Sequence, residues 1–168
     1  MVICQAVRAQ IGISMTRSNQ RPTVLIVDDN RENLELLQAY LEDLDCRTIT
    51  ATDGFEALRL VKHGHPDVVL LDVMMPQISG FEVCKRIKSD PATADIPVIM
   101  VTALNEFRDI ERGLDSGTDD FVSKPVNKLE LLTRVRTMLK LKHLSDRLER
   151  TLAYLARLQG QEPTEPSI

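Results

Sequence analysis

The stretch from Pro66 to Gly80, PDVVLLDVMMPQISG, joins an apolar run to a single carboxylate. The part VVLL is continuously apolar, which is typical of a strand covered on both faces of a parallel sheet. A buried strand gains no stability from an unpaired charge, yet this run ends in Asp72. We therefore expect Asp72 to lie at the end of the strand, where its side chain can leave the core.

Around this stretch, short apolar runs alternate with segments of helical period, which indicates a parallel sheet wrapped by helices. The fold class is therefore α/β, with a doubly wound five-stranded parallel sheet. The expected strands are Thr23–Val27, Cys46–Ala51, Asp67–Asp72, Pro97–Thr102 and a short one within DDFVSKP. The expected helices are Asn30–Leu44, Gly54–His63 with Gly64 as its left-handed cap, Phe107–Ser116 closed by Gly117, Phe81–Lys88, and one from near Asn127 with no breaker until Gly160.

Length and composition set the class of protein. The chain has 168 residues, is 43% hydrophobic and carries a net charge of −4, which favours one domain with extensions and argues against a general nucleic-acid partner. Residues 127–159 have a positive charge, unlike the chain as a whole, because they hold eight basic and three acidic residues, a net charge of +5. No apolar run approaches the roughly 20 residues of a membrane span.

The three cysteines, Cys4, Cys46 and Cys84, are too far apart for a metal knuckle, and we interpret them as reduced thiols of a cytoplasmic protein. The apolar N-terminus is interrupted by Arg8 and Gln10 and has no signal-peptide core. We interpret it as a disordered leader, and either Met1 or Met15 could be the true start.

Polar residues follow the expected strands at their carboxyl ends. Because parallel strands end at one edge of the sheet, these residues should lie together, and they are Asp28, Asp29, Asp72, Thr102 and Lys124. Converging carboxylates repel each other unless a cation lies among them, and oxygen ligands suit Mg²⁺. An Asp beside Mg²⁺ can form an aspartyl phosphate, with Lys124 paired to a phosphoryl oxygen and the Thr102 hydroxyl donating to another.

Four motifs together resemble the receiver domain of two-component response regulators, which is CheY-like. They are VDDN at Val27, DVMMPQISG at Asp72, VTA at Val101 and SKP at Ser123, and the similarity covers Thr23 to Leu139. The separations also resemble those of the family: 44 positions from Asp28 to Asp72, 30 on to Thr102 and 22 on to Lys124. The resemblance implies a flavodoxin-like strand order of 2-1-3-4-5.

The resemblance also implies a role for each residue. Asp72 is the phosphoacceptor, and Mg²⁺ is held by Asp28 through water, by Asp29, and by the backbone carbonyl of Met74. Thr102 and Phe121 are implied as switch residues that move together. Lys124 forms the ion pair, and the Lys124-Pro125 peptide bond is expected to be cis.

Simpler interpretations exist for each residue taken alone. Asp28 and Asp29 could cap the first helix, Thr102 and Lys124 could be ordinary polar residues at strand ends, and Phe121 could be a core aromatic. Their joint occurrence at one sheet edge favours the functional interpretation.

Within the family, the residues two positions after the phosphoacceptor and after the threonine help set the lifetime of the acyl phosphate. Here these are Met74 and Leu104, which cannot orient water, and we expect slow self-dephosphorylation.

The end of the last helix carries a heptad pattern in Leu141, Leu144, Leu148, Leu155 and Leu158, with Thr151 in the missing place. We expect self-association or partner docking, although the helix could instead fold back on its own domain. His143 on this helix is interpreted as a solvated residue rather than a phosphotransfer site.

We expect a disordered leader over residues 1–21, a receiver domain over 22–140, a helical coiled-coil extension over 141–159 and a disordered tail over 160–168.

These features predict a single-domain response regulator and not a metabolic enzyme. It would take a phosphoryl group onto Asp72 from a sensor histidine kinase or a phosphotransfer protein. The output would be a change in partner binding or in a homodimer formed through helix four, strand five, helix five and the C-terminal helix, without direct nucleic-acid or membrane contact. Two alternatives remain: a Mg²⁺-dependent aspartyl-nucleophile phosphohydrolase, which characteristically has a second Asp where Met74 stands, and a fragment of a transcriptional regulator.

Overall fold

The computed structural model describes residues 21–103 and 115–159 of the chain. The strands are β1 (Thr23–Val27), β2 (Arg47–Ala51), β3 (Val68–Asp72), β4 (Val98–Thr102) and β5 (Asp120–Ser123). The helices are α1 (Arg31–Leu41), α2 (Gly54–Gly64), α3 (Gly80–Ser89) and α4 (Lys128–Gln159). All neighbouring strands pair in parallel, in the order β2-β1-β3-β4-β5. The predicted doubly wound α/β fold with an extended C-terminal helix is confirmed.

The sheet separates two hydrophobic layers, because successive strand side chains point to opposite faces. In β1, Leu25 and Val27 join the layer under α2 and α3, whereas Val24 and Ile26 join the layer under α1 and α4. All five residues of β3 are buried, so this strand forms the centre of both layers. The continuous apolar run VVLL of the sequence therefore reflects burial on two sides.

Side-chain caps begin three of the helices. Asn30 accepts a hydrogen bond from the Glu32 backbone N–H at 2.8 Å, Asp53 accepts one from Glu56, and Ser79 accepts one from Glu82. Each cap satisfies a backbone donor that the first helical turn leaves unpaired.

The end of α2 differs from the prediction by one residue. Gly64 stays within the helix, and the left-handed residue is His65, with φ of 41°. The residue before a proline is disfavoured in the right-handed helical region, and Pro66 follows, so His65 leaves the helix. Histidine is also among the residues that enter the left-handed region more often than most.

Several predictions fall on residues outside the described ranges. These are the leader over residues 1–20, Leu104, most of the helix expected over Phe107–Ser116, Cys4 and the tail from Gly160. The second described range begins with a helical turn at Asp115. This turn ends at Gly117, whose φ of 82° is expected of a glycine that closes a helix.

Helix α4 runs for 32 residues without interruption. Its first part packs Leu131, Leu132 and Val135 into the core, and the helix continues for a further twenty residues beyond Leu139. Lys142 attaches this continuation to the domain, because its Nζ lies 2.7 Å from Asp95 and also pairs with Asp146. No helix in residues 21–103 or 115–159 has the length and apolar character needed to cross a membrane.

The two cysteines in the described part of the chain, Cys46 and Cys84, are free thiols. Burial raises the pKa of both above the ordinary value for a thiol, so that they stay protonated near neutral pH. This chemistry matches structural thiols rather than reactive ones.

The start of α3 lies against the end of β3. The Gly80 backbone N–H donates to the Val73 carbonyl at 3.0 Å, and a Cβ added to Gly80 would lie 2.2 Å from the backbone oxygen of Asp72. Such a separation is far inside van der Waals contact, so only glycine allows α3 to begin this close to Asp72.

We expect Gly80→Ala to lower the free energy of unfolding by about 1–3 kcal/mol, because backbone must move to admit the methyl group. Urea unfolding at pH 7 measures this. The matched control is Gly64→Ala, where an added Cβ meets nothing within 4 Å and where we expect a gain of about 0.4–1 kcal/mol. Equal stability of the two variants would contradict the close approach at Gly80.

Candidate functional site

Three carboxylates meet at the carboxyl edge of the sheet. Asp28 and Asp29 directly follow β1, and Asp72 is the last residue of β3, the neighbouring strand. One oxygen from each carboxylate can be chosen so that all three lie within 4.8 Å of one another. Asp28 and Asp72 are 1% and 4% exposed, whereas Asp29 is open to solvent.

Lys124 brings a positive charge among these carboxylates from the loop after β5. Its Nζ lies 2.9 Å from Asp28 Oδ2 and 2.9 Å from Asp72 Oδ1. Its backbone N–H donates to the carbonyl of Thr102 at 2.8 Å, which holds the lysine against the end of β4. The Lys124-Pro125 peptide bond is cis.

The pKa values at this site reflect burial and close pairing. Burial raises the pKa of the Asp72 carboxyl, and this effect exceeds the opposing one of the Lys124 ammonium. Burial alone would lower the pKa of Lys124, but the hydrogen bonds to Asp28 and Asp72 outweigh it and raise that pKa. Lys124 is therefore a permanent cation, and Asp72 is a carboxylate of increased basicity.

Two asparagines that the sequence analysis missed hold Asp28 in place. Asn33 Nδ2 donates to both oxygens of Asp28, at 3.1 and 3.0 Å, and the Asn30 backbone N–H donates to Oδ1 at 2.9 Å. The side chain that caps α1 is Asn30 rather than Asp28 or Asp29. A polar Asn33 in the first turn of α1, five residues after Asp28, was the signal available in the sequence.

The other residues expected at the site lie around this centre. Thr102 is buried at the end of β4, and Phe121 in β5 is partly buried against the layer under α2 and α3. Met74 lies just beyond Asp72 with 66% of its side chain exposed. Leu104 lies outside the described residues.

The two oxygens of Asp72 differ in their surroundings. Oδ1 receives the Lys124 hydrogen bond, whereas Oδ2 has no hydrogen-bond partner among the described residues. Asp72 is only 4% exposed, so this difference in hydrogen bonding, rather than exposure, distinguishes its two oxygens.

The donor set fits a hard divalent cation. Three carboxylates with one ammonium leave a local charge of about −2, and oxygen ligands of this kind suit Mg²⁺. In the described part of the chain no His or Cys belongs to this group, which makes the site unsuited to zinc.

Comparison with known proteins shows which family has this arrangement. Residues 24–136 match the model of the response regulator receiver domain family. The chain is 43% identical over 125 residues to the response regulator PleD of Caulobacter vibrioides, covering 74% of this chain and 28% of PleD. It is 41% identical over 119 residues to the DNA-binding dual master transcriptional regulator RpaA of Synechocystis, covering 71% of this chain and 49% of RpaA.

Solved structures agree with these sequence matches. A putative response regulator from Chloroflexus aurantiacus has a TM-score of 0.69 and 33% identity, and the match covers 72% of this chain and 99% of that one. The receiver domain of a signal transduction histidine kinase from Syntrophus aciditrophicus has a TM-score of 0.67 and 35% identity, covering 71% and 90% of the two chains. The chain spans less than half the length of PleD and RpaA. On its fold, its acidic edge and these matches, the chain belongs to the response regulator receiver domain family of two-component phosphorelay signalling.

Proposed function

We propose that Asp72 accepts a phosphoryl group from a phosphohistidine of a sensor kinase or a phosphotransfer protein. The observation that carries this proposal is the Lys124 ammonium, which bridges the buried carboxylates Asp28 and Asp72 at 2.9 Å each. This position neutralises two carboxylates that would otherwise repel each other, and it keeps an ammonium beside Asp72 where it can pair with a phosphoryl oxygen. Lys124 bonds Oδ1 of Asp72 and leaves Oδ2 unengaged by the lysine, with a cation beside it.

The transfer step follows from this geometry. Asp72 Oδ2 attacks phosphorus, the bond between phosphorus and the imidazole nitrogen breaks, and the electron pair returns to that nitrogen, which takes up a proton. Lys124 pairs with an oxygen of the transferred group, and the Thr102 hydroxyl donates to another. Burial, which raises the basicity of Asp72, also favours attack.

Asp28, Asp29, Asp72 and the main-chain carbonyl of Met74 would hold Mg²⁺ at this edge. The ion would neutralise charge on the phosphoryl oxygens during transfer. Asn33 contributes by fixing both oxygens of Asp28, as outer hydrogen-bond partners do at metal sites.

A phosphohydrolase of the aspartyl-nucleophile class is the disfavoured alternative. Such an enzyme needs a general acid two residues after the nucleophile, and that position holds Met74, whose side chain has no proton to donate.

The proposed setting for the protein is the cytoplasm, where phosphohistidine donors and reduced thiols are found together.

We propose further that the output is a homodimer formed through α4. The five heptad leucines lie beyond the domain and are between 47% and 60% exposed: Leu141, Leu144, Leu148, Leu155 and Leu158. The helix does not fold back to cover them within the described part of the chain. A stripe of this length at heptad spacing is the seam that a second copy of the same helix covers.

Thr151 occupies the sixth position of this seam without leaving a polar group unpaired. Its hydroxyl donates to the Arg147 carbonyl at 2.9 Å within the helix. The methyl group is then the part available to a partner helix. The start of α4 and β5 would contribute a second contact surface, where Leu129 is 75% exposed and one guanidinium nitrogen of Arg134 donates to both oxygens of Asp120. Phosphorylation would alter this surface because the side chains of Thr102 and Phe121 would move together when Asp72 carries the phosphoryl group.

The phosphoacceptor and metal roles give the first test. We expect Asp72→Asn to abolish hydroxylamine-labile labelling by a phosphoramidate donor with Mg²⁺, because the nucleophile is lost. We expect Asp29→Asn to raise the Kd for Mg²⁺ by about tenfold or more, measured by calorimetry. Asp45→Asn removes an exposed carboxylate away from the site and should match wild type in both assays. Full labelling of Asp72→Asn would contradict the assignment.

The lifetime of the acyl phosphate is the second test. We expect decay over minutes or longer in purified protein, because Met74 cannot orient an attacking water. Met74→Asn should accelerate decay by about tenfold, and Met74→Leu should leave it unchanged. Decay of the wild-type acyl phosphate within seconds would contradict this expectation.

The dimer gives the third test, by sedimentation with and without beryllofluoride and Mg²⁺. We expect Leu148→Glu to shift the protein to monomer, because it places like charges within the seam. Ala153→Glu adds the same charge on the opposite side of α4 and should keep the mass of wild type. A monomeric wild-type protein in every condition would contradict the seam.

A further inference from the structure

A concave site lies at the edge of the sheet opposite Asp72. It is a cleft of about 620 Å³ between the amino ends of β1 and β2 on one side and α4 on the other. Its size falls within the range of sites that hold small organic ligands, and it is much larger than a single phosphate needs. Pro22, Leu139 and Leu144 give it apolar surface as well.

Both walls of this cleft are basic. Arg21 and Arg47 line it from the sheet, and Arg136, Lys140 and Arg150 line it from α4. Arg21 pairs with Asp45 at 2.9 Å, but no ion pair with a carboxylate occurs in residues 21–103 or 115–159 for the other four. Like charges therefore face one another across a concave site, and this repulsion is relieved when an anion enters.

The acidic residues of the cleft are already engaged. Asp67 accepts a hydrogen bond from the Thr23 backbone N–H at 2.7 Å, and Asp146 pairs with Lys142, which does not line the cleft. Counting all five basic and two acidic side chains, the lining carries a net charge of +3 in a chain whose net charge is −4. The 20 residues before Arg21 contain two arginines and no acidic residue, so that segment has no carboxylate side chain to pair with the basic residues of the cleft.

We propose that this cleft binds a small phosphate-bearing anion of nucleotide size. Arginine recognises phosphate through paired hydrogen bonds, and four of the five cations here are arginines. The apolar surface of Pro22 and Leu139 accommodates the organic part. The site is remote from Asp72, so its occupancy does not depend on the phosphoacceptor role.

The test is calorimetry with ATP, pyrophosphate and adenosine at low salt and without Mg²⁺, using the 168-residue chain with Asp72→Ala. Without Asp72 and Mg²⁺, the carboxyl edge has neither the phosphoacceptor nor a bound divalent cation. We expect saturable binding of ATP that weakens as salt is raised, and no binding of adenosine. If pyrophosphate binds as tightly as ATP, the natural ligand is a free phosphate compound; if ATP binds more tightly, it is a nucleotide.

Charge reversal places the binding in the cleft. We expect Arg47→Glu and Arg136→Glu, one on each wall, to weaken ATP binding by about tenfold each. Arg157→Glu makes the same change on α4 outside the cleft and should alter the affinity by less than about twofold. Circular dichroism of each variant shows whether the fold is retained.

Three results would overturn the proposal. They are no saturable binding of ATP or pyrophosphate at low salt, an equal loss of affinity in Arg136→Glu and Arg157→Glu, and binding of duplex DNA that Arg136→Glu weakens while ATP does not bind. The last result would make the basic wall a nucleic-acid surface instead.

Discussion

The structure depends on one contact, the Lys124 ammonium between the carboxylates of Asp28 and Asp72. Two nearly buried carboxylates on adjacent strands would repel each other strongly if both were ionised without a cation between them. The lysine comes from the loop after β5, on the far side of β4, and so joins the ends of three strands. This pairing lets an otherwise apolar strand end in a buried carboxylate.

The rest of the sheet edge supports that contact. Asn33 fixes the oxygens of Asp28, the Thr102 carbonyl accepts from the backbone of Lys124, and Gly80 lets α3 begin against Asp72. Together these contacts fix the positions of Asp28, Lys124 and Asp72. Under the proposed function, such preorganisation would reduce the rearrangement that phosphoryl transfer requires.

Helix α4 connects this edge to the rest of the molecule. It begins beside the site, packs along the core and leaves the domain at the opposite edge, where Lys142 contacts Asp95. At about 1.5 Å per residue, the twenty residues beyond Leu139 extend about 30 Å. The exposed leucines and one wall of the basic cleft lie on this helix, so a single helix contributes to both the seam and the cleft.

Much of this could be predicted from the sequence, because burial on both faces makes a strand continuously apolar, and parallel strands must end at one edge. The run VVLL and the positions of Asp28, Asp29, Asp72 and Lys124 after strands were enough to predict the sheet and the acidic edge. The sequence could not show that Asn33 holds Asp28, that His65 rather than Gly64 takes the left-handed conformation, or that basic residues far apart in the chain line one cleft. These features depend on distances between side chains brought together by packing, and local patterns in a sequence do not record such distances.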